Sequence, residues 1–217
     1  HVEAAIITHG DSDHITATWG RTLARRPIPV FVTAPHIRDV LRAGVPERCI
    51  RRLCQSAAIT EDLTVHTAVS PHDREGSASL RFDLHPHGTS LAWLTDLGRV
   101  LPEVESLIEG CDAIAIESNY DLQLQQRSPR PFFLKERIMG GAGHLSNTEA
   151  LDLVLRLDAD RPLRAVVLLH LSRECNCPLL LRRLWERDAS GLLDRLSIAH
   201  HTTPIGPISI TAEAGVV

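Results

Sequence analysis

The sequence predicts a layered α/β fold, and three observations carry that expectation. Short apolar runs alternate with helical stretches along the chain. Several of those runs stop abruptly at polar residues, as buried strands do at the rim of a sheet. No internal repeat, low-complexity tract or linker divides the 217 residues. Residues 1–217 are therefore expected to form a single domain.

The first strand is Ala4-Ala5-Ile6-Ile7-Thr8, which ends at the polar loop His9-Gly10-Asp11-Ser12-Asp13-His14. A helix over Ile15 to Arg26, a strand over Pro29 to Thr33 and a helix over His36 to Ala43 follow. Val45 to Glu61 is polar, carries two cysteines and gives no clear element. Phe82-Asp83-Leu84 and Leu91-Ala92-Trp93-Leu94-Thr95 flank His85-Pro86-His87-Gly88, the pattern of a hairpin turn. Leu101 to Glu109 reads as a short helix and Ala113 to Ile116 as a strand ending at Glu117. A loop rich in Gln, Arg and Pro leads to Gly143-His144. Ser146-Asn147-Thr148-Glu149 has the form of a capping box and starts a helix that reaches about Leu157. Ala165 to Leu169 is a strand ending at His170, Pro178 to Asp188 a helix, and a strand near Ile208-Ser209-Ile210 closes the series.

Composition narrows the function. With 43% apolar residues and 23% charged, the chain is an ordinary globular sequence. No apolar run approaches the roughly 20 residues that span a bilayer, so no membrane partner is expected. A net charge of −4 gives no bulk attraction to nucleic acid, so such binding would need a local patch. Five cysteines, an odd number, are read as reduced thiols in a cytoplasmic protein. Cys175 and Cys177 have no second pair to complete a thiolate zinc site. The twelve histidines are the stronger signal in a chain with only three Trp, four Phe and one Tyr.

The polar ends of the strands are where chemistry concentrates. Four apolar runs each end in a group that can ligate a metal: Ile7-Thr8-His9, Leu94-Thr95-Asp96, Ile116-Glu117 and Leu169-His170. Strand ends bring side chains from distant sequence to one sheet rim. Within His9-x-Asp11-x-Asp13-His14, alternate residues of an extended loop point to one side, so His9 and Asp11 suit one ion. Asp13 and His14 suit another. An N-cap for the following helix explains Ser12 or Asp13, but not two histidines and two aspartates in six residues. Imidazole and carboxylate together favour zinc, manganese or iron.

Thr8-His9-Gly10-Asp11-Ser12-Asp13-His14 resembles the His-x-His-x-Asp-His signature of metallo-β-lactamase-fold hydrolases. His72-Asp73, Thr95-Asp96-Leu97-Gly98, Glu117-Ser118-Asn119, Gly143-His144-Leu145-Ser146-Asn147 and His170-Leu171-Ser172 with Asn176 follow in that family's order. The series is most similar to the YycJ (WalJ) branch, related to ribonuclease Z and cyclic phosphodiesterases. The resemblance implies an αββα sandwich, here N-terminally truncated because the strands that precede the motif are not in the sequence. It implies two divalent metal ions, Zn or Mn. His9, Asp11 and His72 would hold the first, Asp13, His14 and His170 the second, with Asp96 bridging. It further implies phosphodiester hydrolysis by a hydroxide shared between the metals, with His144 and Asp13 as catalytic groups. Ser146, Asn147, Lys135 and Arg137 would bind substrate.

Two residues depart from the pattern. Asp11 stands where the family has a second His, a harder donor that shifts preference toward manganese. Tyr120 stands where the branch more often has a histidine. Arg127, Arg130, Lys135 and Arg137 form a basic loop that suits a phosphate backbone. The expected substrate is therefore nucleic acid, DNA favoured, hydrolysed by a nuclease of exonuclease type. A small cyclic phosphate ester is the first alternative and a non-catalytic metal-binding domain the second. His85 and His87 are read as turn residues, and His200 and His201 as surface residues that could line the cleft.

Overall fold

Strand β2 (Val30–Thr33) shows how the layers arise. All four residues are buried, so both faces of the strand need an apolar cover. Val30 and Val32 pack outward with Ile15, with Leu23 of α1 (Ala17–Arg25) and with Val40 of α2 (Ile37–Arg42). Phe31 points the other way and joins Leu53, Val65, Ala78 and Leu80. In the computed structural model, which describes residues 2–26 and 28–210, β2 lies between β1 (Ala5–Ile7) and β3 (Ile50–Leu53) in a parallel three-stranded sheet.

The second sheet has seven strands. Its antiparallel half is β4 (Ser56–Thr60), β5 (Leu63–Ser70), β6 (Ser77–Leu84) and β7 (Thr89–Leu94). From β7 the sheet continues in parallel through β8 (Ala113–Glu117), β9 (Ala165–Leu169) and β10 (Leu196–Ile198). Alternate residues Ala92 and Leu94, Ile114 and Ile116, and Val166 and Leu168 share one core with three helices. These are α3 (Pro102–Ile108), α6 (Asn147–Asp160) and α7 (Pro178–Asp188). Helices therefore cover both outer faces of two packed sheets, the αββα order expected.

Several elements differ from expectation for stateable reasons. The unreadable stretch from Val45 to Glu61 holds β3 and β4, both sheet-edge strands. Arg51 and Arg52 of β3 are exposed, so an edge strand leaves no apolar alternation to read. The sequence offered no reading of β5, and the Gln/Arg/Pro loop contains two short helices, α4 (Leu122–Arg127) and α5 (Phe132–Arg137). The Asp121 side chain caps α4 by accepting from the Leu124 amide. The last strand is β10 rather than Ile208–Ile210, because Leu196 and Ile198 pack on the main core whereas Ile208 is exposed. The hairpin between β6 and β7 forms as expected, turning through a left-handed Gly88. The capping box of Ser146 and Glu149 is complete.

Candidate metal centre

The centre lies at one rim of the sandwich, beyond the C-terminal ends of β1, β7, β8 and β9. There Thr8 O accepts a hydrogen bond from the Ala78 amide and ties the end of β1 to β6 of the other sheet. The chain then turns sharply, with the His14 and Ile15 amides donating to Asp11 O. Gly10 is needed in this turn, because a Cβ there would lie 2.5 Å from Asp39 Oδ2. The turn brings His9, Asp11, Asp13 and His14 over the rim that also carries Asp96, Glu117 and His170.

Asp96 is the meeting point. Its Oδ1 is 3.6 Å from His72 Nε2 and 3.6 Å from His170 Nε2, and its Oδ2 is 3.2 Å from His14 Nε2. Asp11 Oδ2 lies 3.6 Å from His9 Nε2 and 3.8 Å from His72 Nε2. Asp13 Oδ2 lies 3.9 Å from His14 Nε2. Of four overlapping donor groups, two match the expected ligands, His9, His72 and Asp96 on one side and Asp13, His14 and His170 on the other; the others are Asp11, His72 and Asp73, and Asp96, Glu117, His144 and His170. The first is wholly buried, whereas His14 and His170 are half-buried and Asp13 is exposed.

The imidazoles are aimed by what they bond on their far side. His72 Nδ1–H donates to Gly143 O at 2.8 Å, since a carbonyl can only accept. His144 and His170 each donate from Nδ1 to Glu117 Oε2 at 3.1 Å. With Nδ1 holding that proton, Nε2 is the ring atom turned toward the centre, and its lone pair is what a metal would take. Thr8 Oγ1 serves the remaining two rings, 3.1 Å from His9 Nδ1 and 3.3 Å from His14 Nδ1. Gly143 can approach His72 this way because it has no side chain; a Cβ there would sit 2.5 Å from Ile138 Cα.

Glu117 is the residue sequence reasoning undervalued. Its strand-end position placed it among the metal-ligating candidates, but both its oxygens are already taken. Oε1 accepts from the Leu97 and Leu145 amides and Oε2 from the Asp96 amide, besides the two histidines. The carboxylate is fully buried and is still held below its ordinary range. Burial would raise it, but the hydrogen bonds from His144 and His170 win. Glu117 thus aims the loop of Asp96 and the rings of His144 and His170 together.

The backbone is strained at the same place. Asp73, Asp96 and His170 all adopt left-handed φ values of 50°, 55° and 56°. Each is a non-glycine residue in a region that costs free energy and persists only where surroundings impose it.

A cavity of about 510 Å³ opens over the centre, lined by Asp11, Asp13, His72, Asp96, His144 and His170 together with Arg130 and Arg137. Arg137 pairs with Asp73, and Arg130 Nε donates to Glu174 at 3.0 Å. The other expected substrate contacts are not brought there. Lys135 turns away and donates to Gln126 O at 2.7 Å. Ser146 Oγ is consumed by the capping box, and Asn147 is buried in a reciprocal amide pair with Asn176. A loop sequence shows which residues are polar, not which way they turn. An adjoining cavity of about 360 Å³ brings Arg173, His200 and His201 next to Asp13 and His170.

The residues fit a divalent cation. His9 Nε2 is buried without a hydrogen-bond partner, and Asp96 Oδ2 is buried with only His14 Nε2 near it at 3.2 Å, at the positions where the donor groups converge. Such orphaned atoms are costly unless an ion completes them. Asp96 is held well below the usual carboxylate range; burial opposes this, but the hydrogen bond from His14 and the charge of His170 outweigh it.

The comparisons agree with this geometry. Residues 1–171 match the family model described as a beta-lactamase superfamily domain. An exodeoxyribonuclease, YycJ, from Bacillus anthracis is 26% identical over 219 residues, covering 96% of this chain and 80% of the relative. Among solved structures, a diphosphatase of the PhnP family superposes with a TM-score of 0.64 at 15% identity, covering 92% of this chain and 68% of its own. The short form of human tRNase Z superposes with a TM-score of 0.60 at 16% identity, covering 95% and 80%. With both carboxylates and histidines gathered as that fold requires, the chain belongs to the beta-lactamase superfamily and is a metal-dependent hydrolase of the metallo-β-lactamase fold, in its YycJ-like branch.

Proposed function

We propose that this hydrolase is a phosphodiesterase that holds two divalent ions, zinc or manganese, and cleaves nucleic acid, with DNA the favoured substrate. The observation that carries the reading is Asp96, which faces both donor groups at once. On one side it is joined by His9, Asp11 and His72, on the other by Asp13, His14 and His170. When bound, such ions supply charge neutralisation at phosphorus and an activated water. The chain's own part is to orient, to exclude water and to move a proton.

His144 sits on Glu117 through Nδ1, so its Nε2 is directed to the cavity and can hold or give a proton to the leaving oxygen. Asp13, exposed at the cavity mouth, is positioned to accept one. Arg130 and Arg137 on the cavity wall face the anionic substrate. Asp11, a hard oxygen donor, supports manganese. The nucleic-acid reading also draws on the exodeoxyribonuclease among the chain's relatives. A small cyclic phosphate ester is the second reading, favoured by the modest size of the cavity.

The test is elemental analysis of the purified protein with hydrolysis of bis-p-nitrophenyl phosphate, comparing the wild type with Asp96→Ala. Near two metals per chain and turnover falling by about 10³-fold or more in the variant are expected, since the ions are worth several kcal/mol. Metal-free, inactive wild type would sink the catalytic reading. A steep salt dependence of oligonucleotide binding would select DNA over a small ester.

A further inference from the structure

Two exposed phenylalanines stand out on a helix that also supplies residues to the cleft. Phe132 is 79% exposed and Phe133 71% exposed, the highest values among the large apolar side chains of the described residues. Both lie on α5, whose Leu134 and Arg137 line the metal cavity together with Arg130 just before the helix and Ile138 just after it. Phe133 and Arg137 are four residues apart and so share a helix face. Phe133 therefore lies one helical turn from the cavity-lining Arg137, outside the cavity wall itself.

The surroundings of these rings say what could cover them. Arg127, Arg130, Lys135 and Arg137 fall within eleven residues, and Lys135 is the chain's sole lysine. Arg137 and Arg130 are paired with Asp73 and Glu174 and Lys135 bonds Gln126 O, yet an apolar protein groove would still have to desolvate these charged groups, a poor exchange. An unpaired nucleotide fits both parts, because its base offers a flat apolar face while its phosphate is anionic. Bases stack on aromatic rings whatever their identity, so the arrangement grips a strand without reading its sequence.

We propose that Phe133, with Phe132 beside it, is a stacking platform for unpaired nucleobases next to the phosphate held over the metal centre. The inference rests on the nucleic-acid reading above and adds the contact that orients the strand. It also assigns a reason for the exposed aromatic pair, which joins none of the apolar clusters among the described residues.

The experiment uses the full metal-loaded chain and a phosphorothioate single-stranded oligonucleotide of mixed sequence, with fluorescence anisotropy as readout. Matching oligonucleotides carry one abasic site, moved in turn through the terminal positions. Phe133→Ala is expected to weaken binding of the intact strand by about 10-fold, and Phe133→Trp to restore it. With the base removed at the stacked position, wild type and Phe133→Ala are expected to bind within about 2-fold of one another. Equal binding by wild type and Phe133→Ala on the intact strand overturns the platform. So does a loss of equal size at every abasic position, or self-association in sedimentation that Phe133→Ala abolishes without changing DNA affinity. If wild type hydrolyses bis-p-nitrophenyl phosphate but binds no DNA, the nucleic-acid reading itself falls and the platform with it.

Discussion

The two halves of the centre share Asp96 and yet live in opposite environments. On the closed side, His9 and His72 are buried, and burial drives the His9 pKa down to about 4 despite the nearby carboxylates. On the open side, burial also opposes charge on His14 and His170, but carboxylates prevail. Asp96 raises His14, and the Glu117 hydrogen bond with Asp96 lifts His170 to about 9. Around neutral pH the closed half thus offers a bare lone pair on His9, while the open half keeps a proton on His170. One rim of one fold, with similar ligands on each side, therefore presents a site ready for a cation and a site that must first release a proton.

The sharpest way to break this contrast is at Glu117. Glu117→Gln keeps the volume but removes the negative charge that holds two imidazoles. Metal affinity on the open side is expected to fall by about 10–100-fold, read as the weaker phase of a calorimetric titration. The stronger phase, resting on His9 and His72, should stay close to wild type. Equal loss in both phases would show that the halves are not independent.

A smaller effect is expected behind the open half. Asn119 Nδ2 donates to His170 O, and Asn176 Nδ2 donates to the carbonyls of Ser118 and Asn119. Asn147 Oδ1 accepts from Ser118 Oγ and from Asn176 Nδ2, completing the bracket. Asn147→Ala is expected to cost about 1–3 kcal/mol of stability, the range for leaving buried polar groups unpaired. Urea unfolding measures the loss, and an unchanged KM on bis-p-nitrophenyl phosphate would confirm that Asn147 acts as a brace. A raised KM at unchanged stability would return it to the substrate site.

A further effect concerns the metal-free protein. A His170 pKa of about 9 when folded, against 6.5 when unfolded, gives stability that is fully present below 6.5 and lost as pH rises through 9. His9 has the opposite sign: with its folded pKa at about 4, stability declines as pH falls from 6.5 toward 4. The urea midpoint of chelator-treated protein should therefore peak near pH 6.5. His170→Asn should flatten the alkaline limb alone. A profile that rises steadily through pH 9 would mean that the open half holds no extra proton.

Much of the centre was legible because a strand end leaves a mark that composition alone does not. An apolar run that stops at one polar residue, as at Leu169-His170 or Leu94-Thr95-Asp96, records both burial and position, and the structure gathers these residues on one rim. The capping box at Ser146 was legible for a similar local reason. Other features depend on tertiary direction. The edge strands β3 and β4 bury too little for a period of two to emerge. Lys135, Ser146 and Asn147 have suitable chemistry but turn to Gln126, Glu149 and Asn176. Glu117 carried a strand-end signal, yet its five donors come from three separate parts of the chain and cannot be counted from sequence.

The left-handed backbone at Asp73, Asp96 and His170 bears on how this protein would change under selection. Each position favours glycine by roughly 1 kcal/mol on conformation alone. A library screened only for survival after heating would be drawn toward glycine at the exposed Asp73, whereas at Asp96 and His170 the contacts with the histidines and with Glu117 oppose the exchange. Residues that a heat screen replaces readily and an activity screen refuses to lose would mark where the fold trades durability for chemistry.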